Sequence, residues 1–364
     1  MNPATAASTI RIGLDYRPAL LGSAGIARSV RELARALDAE ASIEPRLFGH
    51  SLARCRRGDP PPAGLRRLPI PGRSLGLLQH LGLGADRLCG GVDVFHWTDF
   101  VYPPLSRAPA IVTIHDLSFA VDASFHGDAQ SRVLLDRCRR AATSAVAIIC
   151  PTRASANDVV THLGIDDARI EVIPFGVDHV TRGPRPEHPR GGRPFVLALG
   201  TIEPRKNHAR LIAAWRALPD PRPELVVIGN PGWESSATLA ELERAAHRGE
   251  LTWLRNASDA CVHAHLSHAS VLAYPSLLEG FGFPPLEAMA LGTPVLAGDT
   301  PALREVCDTA VAYCDPTDVE SIRHQLARIL ETPPDADRRV ERAARFTWEA
   351  CAGRHAELYR RVSA

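Results

Sequence analysis

Short apolar runs alternate with stretches of helical period along almost the whole chain. Residues 10–15, 92–96, 110–115, 146–150 and 170–173 are brief apolar segments bounded by turn or polar residues. Such runs suit strands buried on both faces, as in parallel sheets. Between them, 26–37 and 155–163 place apolar residues at helical spacing. The pattern restarts further on, with strands predicted at 195–199, 224–228, 270–274, 295–297 and 310–313. Helices are predicted at 207–217, 237–246 and 285–291, the last with proline in its first turn. Repeated strand–helix units imply parallel sheets with right-handed crossovers. A final helical stretch at 348–361 has no strand after it, so it is expected to pack back on the first domain.

The polar segment 181–194, rich in Pro, Gly and Arg, separates the two series. The expected division is an N-terminal Rossmann-like domain at 1–182, a linker at 183–194, a second Rossmann-like domain at 195–346 and a returning helix at 347–364. Residues 52–73 stand apart, with Arg54, Arg56, Arg57, Arg66, Arg67 and Arg73 among five prolines. They read as a loop, either a solvated basic one or a contact for an anionic lipid surface.

Composition narrows the function. The chain has 364 residues, 45% hydrophobic and 23% charged, within the usual range for a folded globular protein. No apolar stretch approaches the ~20 residues that span a bilayer, and no secretion signal heads the sequence, so a cytoplasmic protein is expected. A net charge of +1 argues against a nucleic-acid partner. Eight cysteines without a C-x-x-C pair read as small buried residues of a reduced compartment. Of 42 basic residues, Lys206 alone is lysine, which marks a position where a compact ammonium is needed.

Candidate chemistry gathers at predicted strand ends, where open α/β sheets bind ligands. Gly22-Ser23-Ala24-Gly25 forms a glycine turn between the first strand and helix, suited to a phosphate or a sugar. The dinucleotide spacing G-x-G-x-x-G is missing, and Glu44 is a weak candidate for a ribose carboxylate. His115-Asp116 closes another strand, with substrate contact and a structural bond equally open for the histidine. Arg205 and Lys206 lie between a strand and a helix, where the helix dipole is already positive, and a diphosphate would relieve that conflict. Glu279 and Glu287 flank a loop carrying Gly280 and Gly282, the start of a helix lying between them. They suit a sugar and a ribose; as a glycosidase pair they would leave Arg205 and Lys206 without a purpose. No D-x-D occupies a strand-end loop, and His263, His265 and His268 lie in a helical stretch without zinc spacing, so no metal site is expected.

The Glu279-to-Glu287 segment resembles the E-x7-E signature of retaining glycosyltransferases of the GT-B fold, family 4. Segments 22–33 (GSAGIARSVREL), 112–119 (VTIHDLSF), 172–178 (VIPFGVD), 200–207 (GTIEPRKN) and 274–295 resemble that family in its order, across roughly residues 10 to 350. Within that family the chain most resembles the bacterial mannosyltransferases and relatives that build O-antigen or exopolysaccharide chains. The resemblance implies two α/β domains facing across a cleft and closing over the donor. It also implies transfer of a hexose, mannose from GDP-mannose foremost, to a glycan or lipid-linked acceptor, on or near the inner face of the membrane. No cofactor or essential metal is implied, the nucleotide sugar being a co-substrate.

The family's roles fall on particular residues. Arg205 and Lys206 resemble the pair gripping the donor diphosphate, Glu279 with Phe281 and Gly282 the contacts to sugar and phosphate, and Glu287 the ribose ligand. His115 resembles the histidine near the anomeric carbon, with Asp116 beside it, and Gly25 the glycine near the phosphates. Trp253 and Leu254 match the region of the base pocket, although Trp-Leu-Arg-Asn departs from the family's usual pattern, as does Thr201, where some relatives carry arginine. A nucleotide-sugar 2-epimerase and an inactive partner subunit are the alternatives on the same scaffold; a dehydrogenase is disfavoured.

Overall fold

A computed structural model describes residues 9–22, 25–52 and 62–363. Arg54, Arg56 and Arg57, and Ser23 and Ala24 of the glycine turn, lie outside these. Two compact units are present: residues 1–117, 133–176 and 348–364 form one, and 118–132 with 177–347 form the other.

The first unit holds a seven-stranded sheet in the order β3-β2-β1-β4-β5-β6-β7. Its strands are β1 (Ile10–Asp15), β2 (Ile43–His50), β3 (Arg66–Leu68), β4 (Val94–Trp97), β5 (Ala110–Thr113), β6 (Ala147–Cys150) and β7 (Ile170–Val172). Every pairing is parallel. The second unit repeats this with β8 (Phe195–Leu199), β9 (Glu224–Ile228), β10 (Thr252–Leu254), β11 (Val271–Tyr274), β12 (Val295–Gly298) and β13 (Ala312–Cys314). Their order is β10-β9-β8-β11-β12-β13, again all parallel. Each sheet reverses its winding once, between β1 and β4 and between β8 and β11. The carboxyl ends of those strand pairs are where doubly wound sheets bind ligands.

Three elements escape the hydrophobic pattern. β2 contains Pro45, which lacks an N–H; β3 pairs with β2 only from Phe48 onward, so no strand lies beside Pro45 on that side to miss the donor. β3 lies in the basic segment expected to be a loop, where strand pairing overrides a polar composition. β10 is the half-buried edge of its sheet and too short to show a period.

The domain boundaries also differ from expectation. Residues 183–194 are tethered within the second unit and do not form a bare linker. Arg185 donates to the Ser267 carbonyl at 2.6 Å, Arg190 donates to Glu224 at 3.1 Å and to the Thr252 hydroxyl at 3.2 Å, and His188 packs on Phe195. The second unit begins at Val177, whose N–H donates to the Phe346 carbonyl at 2.9 Å. Residues 118–132 belong to it as well, held by Trp233: its indole donates to the Phe125 carbonyl at 2.6 Å and stacks on His126 at 4.8 Å.

The C-terminal helix Trp348–Ser363 returns to the first unit and packs on the helix Gly25–Asp38 and on β1 and β4. Trp348, Cys351, Ala352, His355, Ala356 and Tyr359 form its buried face, spaced as an amphipathic helix requires. His96, wholly buried in β4, bonds the Tyr359 hydroxyl at 2.8 Å through Nδ1 and the Thr113 hydroxyl at 2.7 Å through Nε2. Burial holds His96 well below the usual histidine range and lowers His355 to about 4.

Both histidines are therefore neutral in the fold, while the unfolded chain takes up their protons near pH 6.5. Stability is full above that pH and falls toward pH 4, by about 1.4 kcal/mol per pH unit for each histidine. Urea titrations at about pH 7 and about pH 5 will show a loss that His355→Leu reduces by one proton's share. Tyr359→Phe, which leaves His96 Nδ1 without its partner, will cost ~1–3 kcal/mol.

Candidate active site

The chemistry of the second unit is assembled where β8 and β11 end. The loop after β8 is zipped to the loop after β9: Gly200 N–H donates to the Ile228 carbonyl, Ile202 N–H to Asn230 at 2.9 Å, and Gly232 N–H returns to Ile202 at 3.0 Å. Gly229 allows this, because a Cβ there would lie 1.9 Å from the Gly200 carbonyl oxygen. Pro204–Lys206 forms a single 3-10 turn, and Asn207 follows in the left-handed region at φ 62°. Asn207 tolerates that conformation. Its amide donates to the Pro275 carbonyl at 2.9 Å and the Pro316 carbonyl at 2.6 Å, pinning the loop to the chain beyond β11 and β13. The Arg205 carbonyl accepts from Leu277 N–H at 2.9 Å.

Four charges meet there. Lys206 Nζ donates to Glu279 Oε1 at 2.6 Å and to the Tyr274 hydroxyl at 2.5 Å, and lies 4.9 Å from the centre of the Tyr274 ring. Arg205 Nη1 donates to Glu279 Oε2 at 3.0 Å and to the Leu278 carbonyl at 2.9 Å, while Nη2 pairs with Glu203 Oε1 at 2.7 Å. The tetrahedral donors of an ammonium suit a hydroxyl and a carboxylate lying in different directions; a guanidinium's donors are coplanar. Burial and the neighbouring Arg205 draw the Lys206 ammonium below the usual lysine range, with Glu279 and Glu203 opposing the shift. Burial raises Glu279, but Lys206 and Arg205 outweigh it and leave the carboxyl below the usual range. The site thus holds two cations against two anions.

This corrects the electrostatic expectation. Arg205 and Lys206 precede the helix His208–Arg216 by a turn of their own, and two carboxylates already neutralise them. No external anion is needed to relieve repulsion. Glu203 and Tyr274 are the members that sequence reasoning missed. Glu203 stands two residues before Arg205, and Tyr274 ends a strand that opens the E-x7-E segment, so both were signalled by adjacency alone.

The other expected contacts are distributed more widely. Gly282 begins the helix Phe283–Ala290 at φ 94°, and a Cβ there would meet Leu303 at 2.5 Å, so no other residue fits without displacement. Phe281 is buried against Phe283 and Phe346, its ring serving as packing. Glu287, on that helix, is 1% exposed and faces His179 Nε2 at 3.3 Å. Trp253 and Leu254 lie in β10, separated from β8 by β9. The Trp253 indole donates to the Gly229 carbonyl at 2.9 Å, under the Arg255 guanidinium. Glu44 is on β2 and pairs with Arg46 at 2.7 Å. His265 bonds the Cys261 carbonyl and His268 the Pro186 carbonyl, each turned to its own partner.

In the first unit, His115 follows β5, close to the winding reversal at β1 and β4. Its Nε2 lies 2.9 Å from the Thr98 carbonyl, which can only accept, so Nε2 carries the hydrogen and Nδ1 is the acceptor. The ring stacks on Phe175 at 5.6 Å, which gives the VIPFGVD segment a positioning role. Burial lowers the His115 pKa, against opposing effects from Thr98, Asp99 and Asp116. The imidazole is therefore neutral at physiological pH. Gly25 begins the helix Gly25–Asp38 at the end of the glycine turn.

Comparisons with known proteins agree with this arrangement. Residues 23–182 match the family described as Glycosyltransferase Family 4, and residues 182–346 that described as Glycosyl transferases group 1. The chain is a family 4 glycosyltransferase. It is 27% identical over 282 residues to the O-antigen chain mannosyltransferase B of Escherichia coli, covering 73% of this chain and 74% of that one. It is 28% identical to the O-antigen chain mannosyltransferase RfbU of Salmonella typhimurium, over 68% and 67% of the two chains. A solved sucrose-phosphate synthase from Thermosynechococcus elongatus superposes with a TM-score of 0.74 over 97% of this chain and 99% of its own, at 20% identity, which establishes the shared GT-B fold.

Asn207→Ala removes both amide bonds and puts an ordinary residue at positive φ. It will destabilise this glycosyltransferase by ~2 kcal/mol or more, read from urea unfolding. A loss below about 0.5 kcal/mol would refute the pinning role.

Proposed function

We propose that this glycosyltransferase moves a hexose, mannose from GDP-mannose, to a glycan or lipid-linked glycan acceptor in bacterial surface polysaccharide synthesis. The reaction retains anomeric configuration and uses no essential metal. The observation carrying the donor assignment is the Arg205–Lys206 pair, held at the winding reversal of the second sheet by Glu279. The choice of mannose is supported by the O-antigen mannosyltransferases to which the chain is similar.

In this reading the bond between the anomeric carbon and the phosphate oxygen breaks, and its electrons go to the departing nucleoside diphosphate. Arg205 and Lys206 are fixed before the reaction and stabilise that charge as it grows, so little reorganisation is needed. The acceptor hydroxyl attacks from the face the phosphate leaves and gives its proton to that phosphate, so no side chain is nominated as nucleophile. Neutral His115, with Nδ1 as acceptor, fits a hydrogen bond from a sugar hydroxyl and not the role of an acid. Glu287 is assigned to the ribose, with His179 moving aside. The first unit is the acceptor side, and contact of its basic segment with the inner membrane face belongs to the same proposal. Among the described residues no helix is long and apolar enough to cross a membrane.

Three measurements test the proposal. Thermal melting against GDP, UDP, ADP, dTDP and their sugars will give its largest shift with GDP and GDP-mannose; a larger shift with another base overturns the donor assignment. Lys206→Ala will slow transfer by about 10²–10³-fold, the ~2.7–4 kcal/mol scale of a preorganised charge contact, and near-normal turnover would refute it. Activity will survive EDTA, whereas complete loss restored by a divalent ion would remove the metal-independent mechanism.

A further inference from the structure

We infer that a cavity of about 880 Å³ in the first unit binds the lipid end of the acceptor, a long apolar chain with a phosphate head. The inference rests on the lipid-linked acceptor proposed above and adds where its lipid is held and which features of it the protein recognises.

Residues of the connection between β4 and β5 and of the helices Gly72–His80 and Asp128–Ser144 line this cavity, whose size is that of a small-molecule site. Its walls are mostly apolar, with Leu75 and the rings of Trp97 and Tyr102 among them. Side-chain donors on those walls are largely spent within the protein. The Trp97 indole donates to the Pro103 carbonyl at 3.0 Å, the Tyr102 hydroxyl to Cys138 Sγ at 3.4 Å, the Gln79 amide to the Leu105 carbonyl at 2.9 Å and the Ser144 hydroxyl to the Ala141 carbonyl at 3.0 Å. A sugar, whose hydroxyls each need a hydrogen bond when buried, finds few partners here. An apolar chain leaves water for walls of its own kind.

Charge selects the head group. Among the described residues no carboxylate lines the cavity, and two arginines of the helix Asp128–Ser144 do, Arg137 and Arg140. Arg140 pairs with Asp136 at 2.6 Å, whereas Arg137 is exposed and carries no hydrogen bond or ion pair among the described residues. A guanidinium whose fork is unoccupied suits a phosphate. His50, the last residue of β2, also lines the cavity; it is 2% exposed and its side chain makes no hydrogen bond among the described residues. Gly72 keeps room beside it, because a Cβ there would lie 3.1 Å from Nε2. Burial and Arg17 lower the His50 pKa to about 4, so the imidazole is neutral and offers one N–H to an oxygen of the ligand. The helix Gly72–His80 buries Leu75 and leaves Leu77 68% exposed, with Leu81 just past its end 71% exposed. Exposed leucines on an element that walls the cavity favour a ligand arriving from a lipid surface.

Isothermal titration of the full chain with alkyl phosphates, each below its micelle concentration, tests the site. Decyl phosphate will bind more tightly than octyl phosphate, by about fourfold for each added methylene. It will not be displaced by inorganic phosphate, and 1-decanol will bind more weakly. Arg137→Gln, at an exposed position, will weaken decyl phosphate about tenfold and leave decanol unchanged. In transfer to a lipid-linked glycan the same variant will raise the acceptor KM and leave kcat and the donor KM as they are. Decyl phosphate binding that Arg137→Gln does not weaken, displacement by inorganic phosphate, or decanol binding as tightly as the phosphate each overturns the inference. A wild-type chain that binds a nucleoside diphosphate but no decyl phosphate overturns this inference alone. A chain that transfers no sugar to any acceptor overturns the proposed function, and decyl phosphate binding, read without turnover, tells the two failures apart.

Discussion

The organisation of the second unit depends on one constraint: two cations are kept in a mostly buried site by two carboxylates reached from different loops. Buried ion pairs seldom add net stability, because desolvation takes back most of the Coulomb gain. Losing one member leaves an uncompensated charge, which is far more costly. The cluster therefore demands that the ends of β8 and β11 be held in fixed relation. The Asn207 amide, the zipped loops after β8 and β9 and the Arg205 carbonyl all serve that end. A site maintained at such cost is expected where charge must be stabilised in a reaction without time for the protein to reorganise.

The first unit solves a different problem. It must present a polar edge at the ends of β1, β4 and β5 while burying His96 and His115 beneath it. Both histidines are satisfied by hydroxyl or carbonyl partners and kept neutral by desolvation. The C-terminal helix supplies one partner through Tyr359, which explains why the chain returns after completing the second unit. One cavity of that unit, about 880 Å³, lies elsewhere, lined in part by the helix-free connection between β4 and β5, and holds none of the nominated site residues.

Legibility in the sequence followed burial. β1, β8 and β9 have the limits their apolar runs predict, because a strand covered on both faces must be apolar throughout. β2, β3 and β10 were hidden because each lies toward a sheet edge, where proline, arginine or a polar residue is tolerated. The tethered 183–194 segment was misread for a related reason. Its polar, Pro-, Gly- and Arg-rich composition read as a linker, yet two of its arginines bind carbonyl, carboxylate and hydroxyl partners far along the chain.

By itself the sequence determined the two α/β halves and the returning helix, and it singled out Lys206 and the E-x7-E segment. Each of these is written in a local period, a single unusual residue or a short spacing. Tertiary structure alone decided what neutralises Arg205 and Lys206, that Glu279 bridges them, that Tyr274 and Glu203 complete the cluster, and that Glu287 faces His179. Those facts depend on which loops lie side by side once the strands are ordered. Charge interactions act through space at a few ångströms, and spacing along the chain carries no record of that distance.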